Sequence, residues 1–445
     1  MKNTFVISCP IDCYSGYSAR SRDLVKAIIA LDKYDVKILP QRWGSTPWGF
    51  IEDNPEWSFL TEYIVPNITE KPDIWAQVTI PSEFQPVGKY NIGFTAGIES
   101  TVCAPDWIEG LNRMDVNFVS SKHSKNVFEQ VNFEKKDQNT KQTIAKISLQ
   151  KPVEVLFEGV DIETYRPLKD NEKSSINLSN IKESFAFLHC GMWLPGDIGE
   201  DRKNIGMLIK VFYETFKNKN KQPALLLKVS QGTSSYMGRD AILKKIDAIG
   251  ETVRAKKLPN VYLLNGDLTD TEMNELYNHP KVKAMVSLTK GEGFGRPLLE
   301  FTTSQKPLLT TNWSGHTDFL STEFTSLVGG ELKPIHPSAA NKWLIKEGQW
   351  LTADYPQVGA FMKDMFEKYK PYKEKAKRQA YKSRTEFSWE AMKDHLGERL
   401  EVLVPKIAKT VGLQLPKLKK IGDSKSNKVE LPKLKKLQLP KLKEV

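Results

Sequence analysis

Four cysteines in 445 residues are too few for a disulfide-built scaffold. Cys9, Cys13, Cys103 and Cys190 match neither zinc-site nor thioredoxin-type spacing, so buried or half-buried free thiols are expected. No apolar run approaches the roughly 18 residues that would suggest a membrane span. Met1–Pro10 also lacks the basic start and apolar stretch of a secretory leader, and a cytoplasmic location is expected. The chain contains no Asp-x-Asp triplet, so a divalent metal held in that way is not expected, and no cofactor is either. The turn at Ser15-Gly16-Tyr17 lacks the full GxGxxG spacing, which argues against a dinucleotide dehydrogenase.

What is present suits a globular α/β protein. With 40% hydrophobic and 10% aromatic residues the chain can fill more than one core, and its length suggests two domains plus extras. Apolar strand-like runs alternate with amphipathic stretches, the pattern of parallel sheets covered by helices on both faces. Strands are expected at Thr4–Cys9, Asp35–Leu39, Ile74–Val78, Ile92–Thr95, Val116–Ser120 and Val153–Phe157, with a helix from Ala19 to Leu31. After a polar stretch, a second series is expected at Phe185–Cys190, Ala224–Val229, Val261–Leu264, Lys283–Leu288 and Pro307–Thr311. The reading is two doubly wound Rossmann-like domains facing a cleft: 1–168, a linker at 169–184, then 185–382, with a C-terminal helix at 383–405.

The run Leu288–Glu300, LTKGEGFGRPLLE, carries the most chemistry. Gly291, Gly293 and Gly295 let the backbone turn sharply after a buried strand, and Pro297 suits the start of a helix over 297–305. A ligand could approach such a main chain closely, and a diphosphate suits the amide end of a helix. Glu292 in the loop and Glu300 in the first turn are hydrogen-bond acceptors for a sugar and a ribose diol. Lys228 stands at the end of an apolar strand, where burial is costly unless the ammonium meets an anion, either a diphosphate or a carboxylate.

The run at 292–300 resembles the E-x7-E motif of the GT-B glycosyltransferases of family 4. Ser120–Phe128, Val155–Pro167, Arg202–Ile205 and Phe387–Glu390 follow in that family's order. Arg42–Trp48 and Val78–Pro86 look similar to family 4 enzymes encoded by tailed phages, which would place the protein in the host cell's cytoplasm. The resemblance implies a retaining, metal-independent hexosyl- or pentosyltransferase using a nucleotide sugar. It places Gly16 beside the diphosphate and acceptor, and Arg202 and Lys203 at the phosphates. Asn265 and Gly266 are expected to meet the base through their main chain. Gly293, Phe294 and Gly295 complete the donor set with Lys228 and Glu300, and Glu292 holds the sugar. Glu99 stands where family members often present a histidine, as an acceptor base, a sugar ligand or a solvated surface group. His123 reads as structural, and His316 and Asp318 as weaker candidates in a turn that could close on the sugar.

From Lys406 to Val445 the chain carries 12 lysines and 3 acids, nine of its eleven net positive charges. The motif LPKLKK occurs at Leu415–Lys420 and again at Leu431–Lys436. A basic disordered tail is expected, open to DNA, another anionic partner or none. Phage analogy and charge together point to a hydroxymethylated DNA base as acceptor. Transfer to a surface glycan or lipid-linked sugar stays open, as does a non-catalytic binding protein on the same frame.

Overall fold

Runs such as Ile74–Val78, buried at every position, cannot turn one face to water, and strands of this kind form parallel sheets covered on both sides. A computed structural model describes residues 2–407 apart from 138, 173, 233 and 234, so the expected tail lies outside the described residues from Ala408 on. The first sheet is parallel throughout, in the spatial order Tyr34–Pro40, Asn3–Cys9, Ile74–Val78, Tyr90–Thr95, Val116–Val119 and Val153–Val155. The second, also parallel, runs Val261–Leu264, Ala224–Ser230, Ala186–Met192, Val282–Ser287, Leu308–Thr311 and Ser326–Val328. The order reverses beside Asn3–Cys9 in the first sheet and between Ala186–Met192 and Val282–Ser287 in the second. Loops leaving the carboxyl ends diverge at such switch points and open a crevice.

The first helix spans Gly16–Ala30, beginning three residues before the expected Ala19, because the Ser15 hydroxyl caps it by accepting from the Ser18 N–H at 3.1 Å. The helix after the glycine loop spans Arg296–Thr302 and stops short of Gln305. Thr302, Thr303 and Ser304 donate their hydroxyls to the carbonyls of Leu299, Glu300 and Phe301, and Gln305 adopts φ 60°. Side chains that satisfy the backbone locally end a helix in this way. In place of one helix over 383–405, Tyr369–Glu386 and Trp389–Leu403 are separate, since Ser388 caps the second through the Ala391 N–H.

Trp389–Leu403 returns to the first domain, where Trp389, Met392, Leu396 and Leu400 join the core under Gly16–Ala30. Burying side chains of this size contributes roughly 1.5–3 kcal/mol each. Leu178 and Ile181, in the segment read as a linker, are buried in the second domain's core. Two antiparallel hairpins were not foreseen: Asn132–Lys136 with Thr143–Ser148, and Gly330–Pro334 with Gln349–Ala353. All four cysteines are free, and three are buried. Among the described residues no helix is long and apolar enough to cross a membrane.

Candidate active site

The second switch point brings the loop after Met192 against the loop after Ser287, and every charged group of the cluster there comes from these loops or from Glu99. The Gly291–Gly295 run is fixed by Ser314 and Gly315. The Glu292 N–H donates to Ser314 Oγ at 2.9 Å, and the Gly315 N–H donates to the Glu292 carbonyl at 2.9 Å. Two of the glycines make room for the protein's own main chain. A Cβ on Gly291 would lie 1.9 Å from the Glu99 carbonyl oxygen, and one on Gly293 would lie 2.4 Å from that of Ala96. At these two glycines main chain of the first domain makes the close approach. Gly295, at φ 94°, caps the following helix. The Phe294 side chain turns into the core against Phe319, ring centroids 5.0 Å apart, and so does not face the cleft.

The Glu292 carboxylate is held by Lys203 Nζ at 2.6 Å and Arg202 Nη1 at 3.2 Å. Arg202 also pairs with Glu99 at 3.5 Å. Two cations and two carboxylates thus form one nearly buried, charge-balanced cluster. Burial alone would raise Glu292, but Lys203 and Arg202 hold its carboxyl down at about 2. Lys203 is lowered by its own burial despite Glu292. Sequence reasoning assigned Glu292 to the sugar and the two cations to phosphate; the structure ties them to one another.

His189 and His316 lie against this cluster and were missed or rated low. His189 Nε2 and His316 Nδ1 are buried without protein partners, while their other nitrogens meet the carbonyls of Val286 at 2.9 Å and Thr311 at 2.6 Å. Burial lowers both histidines, His189 to about 4. His123 packs edge-on against Trp313. Asp318 does not close on the cleft: it accepts from the Lys122 N–H of the first domain at 2.8 Å.

Glu300 lies deeper. Arg296 Nε donates to it at 2.8 Å and, through Nη1, also binds Asp23 of the first helix. Burial outweighs Arg296, and with Asp270 and Asp23 nearby the Glu300 carboxyl rises to about 7. Arg296 escaped the sequence reading, although its i, i+4 spacing to Glu300 was a usable signal. Beside it a cavity of about 390 Å³ is lined by Ser15, Phe50, Trp57, Lys228, Asp270 and Arg296, among others. Lys228 is half-buried and shares this cavity with Asp267, Asp270 and Glu272. Asn265 Oδ1 is buried without a partner, and Gly16 opens on empty space, with nothing within 4 Å of an added Cβ.

No protein-family model matches the sequence, and no curated protein does. Solved structures do match by fold. HepE of Anabaena, crystallised with UDP-glucose, aligns with 90% of this chain and 100% of its own at 12% identity and TM-score 0.58. A glycosyltransferase from Rickettsia africae covers 91% of this chain and 100% of its own at 10% identity and TM-score 0.59. Sucrose-phosphate synthase from Thermosynechococcus elongatus covers 90% and 99% at 12% identity and TM-score 0.57. The fold is that of the GT-B glycosyltransferases: two Rossmann-like domains, each built on a parallel six-stranded sheet.

Proposed function

We propose that the chain is a glycosyltransferase that moves a sugar from a nucleoside diphosphate to an acceptor hydroxyl. The observation that carries this reading is the Glu99–Arg202–Glu292–Lys203 cluster at the second switch point; a cavity large enough for a nucleoside lies deeper, beside Lys228 and Arg296. Arg202 and Lys203 would neutralise the diphosphate as the bond from the anomeric carbon to the phosphate oxygen breaks with its electron pair. The acceptor oxygen forms the new bond to that carbon, and its proton goes to the departing phosphate oxygen. Attack on the face the phosphate leaves would retain configuration, as the family 4 resemblance implies. In this scheme Glu292 holds the sugar hydroxyls once a diphosphate draws the cations away. Glu300, freed from Arg296, meets the ribose. No step requires a metal. That HepE was crystallised with UDP-glucose makes a UDP-hexose the first donor to try.

The test is a thermal-shift and hydrolysis screen of UDP-, GDP-, ADP- and TDP-sugars on the wild type beside Glu300→Gln. One donor that stabilises the wild type and is slowly hydrolysed by it alone is the expected result. A wild type that binds none of them would move the non-catalytic binding protein to first place. The hydroxymethylated-DNA acceptor rests on phage analogy and on the basic tail, which from Ala408 on lies outside the described residues.

A further inference from the structure

Next to the charge cluster, on the side of Glu99, lies a second cavity of about 310 Å³. One wall is supplied by an element of the second domain that is not part of its sheet. The hairpin Gly330–Pro334 and Gln349–Ala353 carries the connection 335–348 at its tip, and Ile335, Ala339 and Trp350 give that tip a small core of its own. The tip docks on the first domain: the Gln349 N–H donates to Thr101 Oγ1 at 2.9 Å, and the Thr101 N–H donates to the Gln349 carbonyl at 2.9 Å. The hairpin therefore spans the cleft and closes one side of a chamber whose opposite wall is Ile98, Glu99 and Trp107.

Two features define what the chamber can hold. Its lining is mostly apolar and includes two indoles: Trp107, which is buried, and Trp343, which is 40% exposed. Among the described residues the only charged lining groups are Glu99 and Arg202, and they are paired with each other. An occupant with an apolar face and hydroxyls fits these features, and a polyanion does not. Phosphodiester acceptors call for a rim of uncommitted cations. Here the lining offers only Arg202, already shared by two carboxylates, and Lys342 at the rim lies over the Trp343 ring with Nζ 4.5 Å from its centroid.

From this placement we infer that the chamber is the acceptor site and that it takes an uncharged sugar ring. The ring lies on Trp343, and the reacting hydroxyl donates to Glu99, which turns it toward the donor beyond Arg202. Glu99 is on this view a positioning residue, since the proton leaves with the phosphate. The inference rests on the glycosyltransferase reading and narrows it from any hydroxyl to a glycan.

The experiment uses the full chain and the donor found in the screen. Donor consumption is followed with 4-nitrophenyl glycosides of glucose, galactose, mannose and N-acetylglucosamine, and in parallel with a duplex containing 5-hydroxymethylcytosine. Acceleration by at least one glycoside is expected. Trp343→Ala should raise the KM for that glycoside about tenfold or more, while the donor KM changes by less than about twofold and Trp343→Phe recovers most of the loss. Acceleration by the duplex and by no glycoside would overturn the inference. So would glycoside turnover that Trp343→Ala leaves as it was, or donor hydrolysis that nothing in the panel accelerates. A wild type that neither binds nor hydrolyses any donor refutes the glycosyltransferase reading itself, a result distinct from all of these.

Discussion

At the scale of single residues, the cluster around Glu292 is poised between two partners for the same cations. A diphosphate must displace the Glu292 carboxylate from Lys203 and Arg202, which it now meets at 2.6 and 3.2 Å. Glu292→Gln removes that competitor. The free nucleoside diphosphate should therefore bind the variant more tightly, by about 1–2 kcal/mol in calorimetry, while turnover falls on the order of a hundredfold because the sugar hydroxyls lose their acceptor. Weaker diphosphate binding in the variant would show that Glu292 and the phosphates do not compete. Glu300 makes a prediction about pH. Its carboxyl is raised from 4.5 to about 7 in the folded protein, so the native state binds the proton more tightly than the unfolded chain does. The stability this proton contributes is present in full below pH 4.5 and is lost as pH rises through about 7, on the order of 3 kcal/mol at most. Urea titrations at several pH values should show the wild type losing ground to Glu300→Gln across that window. A constant difference between the two would place the Glu300 titration elsewhere.

At the scale of elements, the glycine loop and the first helix make opposite predictions for the same substitution. Gly291→Ala puts a methyl 1.9 Å from a main-chain oxygen of the first domain, where neither side can yield cheaply. We expect a loss of about 1–3 kcal/mol and a displaced loop, read as a lowered urea midpoint together with lost donor binding. Gly16→Ala meets nothing within 4 Å and sits in the first turn of a helix. Its urea midpoint should hold or rise by up to about 1 kcal/mol of stability. If the diphosphate passes over Gly16, donor affinity will fall all the same. Unchanged affinity would remove Gly16 from the site.

At the scale of the whole molecule, residues 1–407 form one unit, and Arg296 links its halves by pairing with Asp23 of the first helix and Glu300 of the second domain. Arg296→Ala would strand two buried carboxylates. Breaking a buried pair from one side costs about 3–5 kcal/mol, and the loss should be smaller below about pH 7, where Glu300 holds a proton. A loss of the same size at low pH would mean that Arg296 acts by packing alone. Beyond Ile407 the chain carries eleven lysines against three acids, eight of its eleven net positive charges. A chain ended at Ile407 should keep its urea midpoint and elute from a heparin column at much lower salt, since polyanion binding scales with the cations engaged. Unchanged elution would locate the anion-binding surface on the folded unit instead.

The strands and their alternation with helices were legible in the sequence because a parallel strand buried on both faces must be apolar at nearly every position. Ile74–Val78 and Val261–Leu264 were read to the residue. The cluster's members were legible too, since Glu99, Arg202, Lys203 and Glu292 all fall in loops that leave strand ends. Their partners were not. Which charge meets which is decided by where two chain segments some ninety residues apart come to lie, as with Lys203 and Glu292, and local pattern carries no record of that. The same holds for the glycines, whose need for space is visible in the sequence while the occupant of that space is not. It holds as well for the hairpin at 330–353, whose strand Gly330–Pro334 is exposed at every position and so lacks the alternation that marks a half-buried strand. Sequence alone determined the two doubly wound domains and the loops that carry chemistry, because burial is written locally. Tertiary structure alone decided that those loops close on each other through Arg202, Arg296 and the hairpin tip, because contact between distant segments is a property of the packed chain.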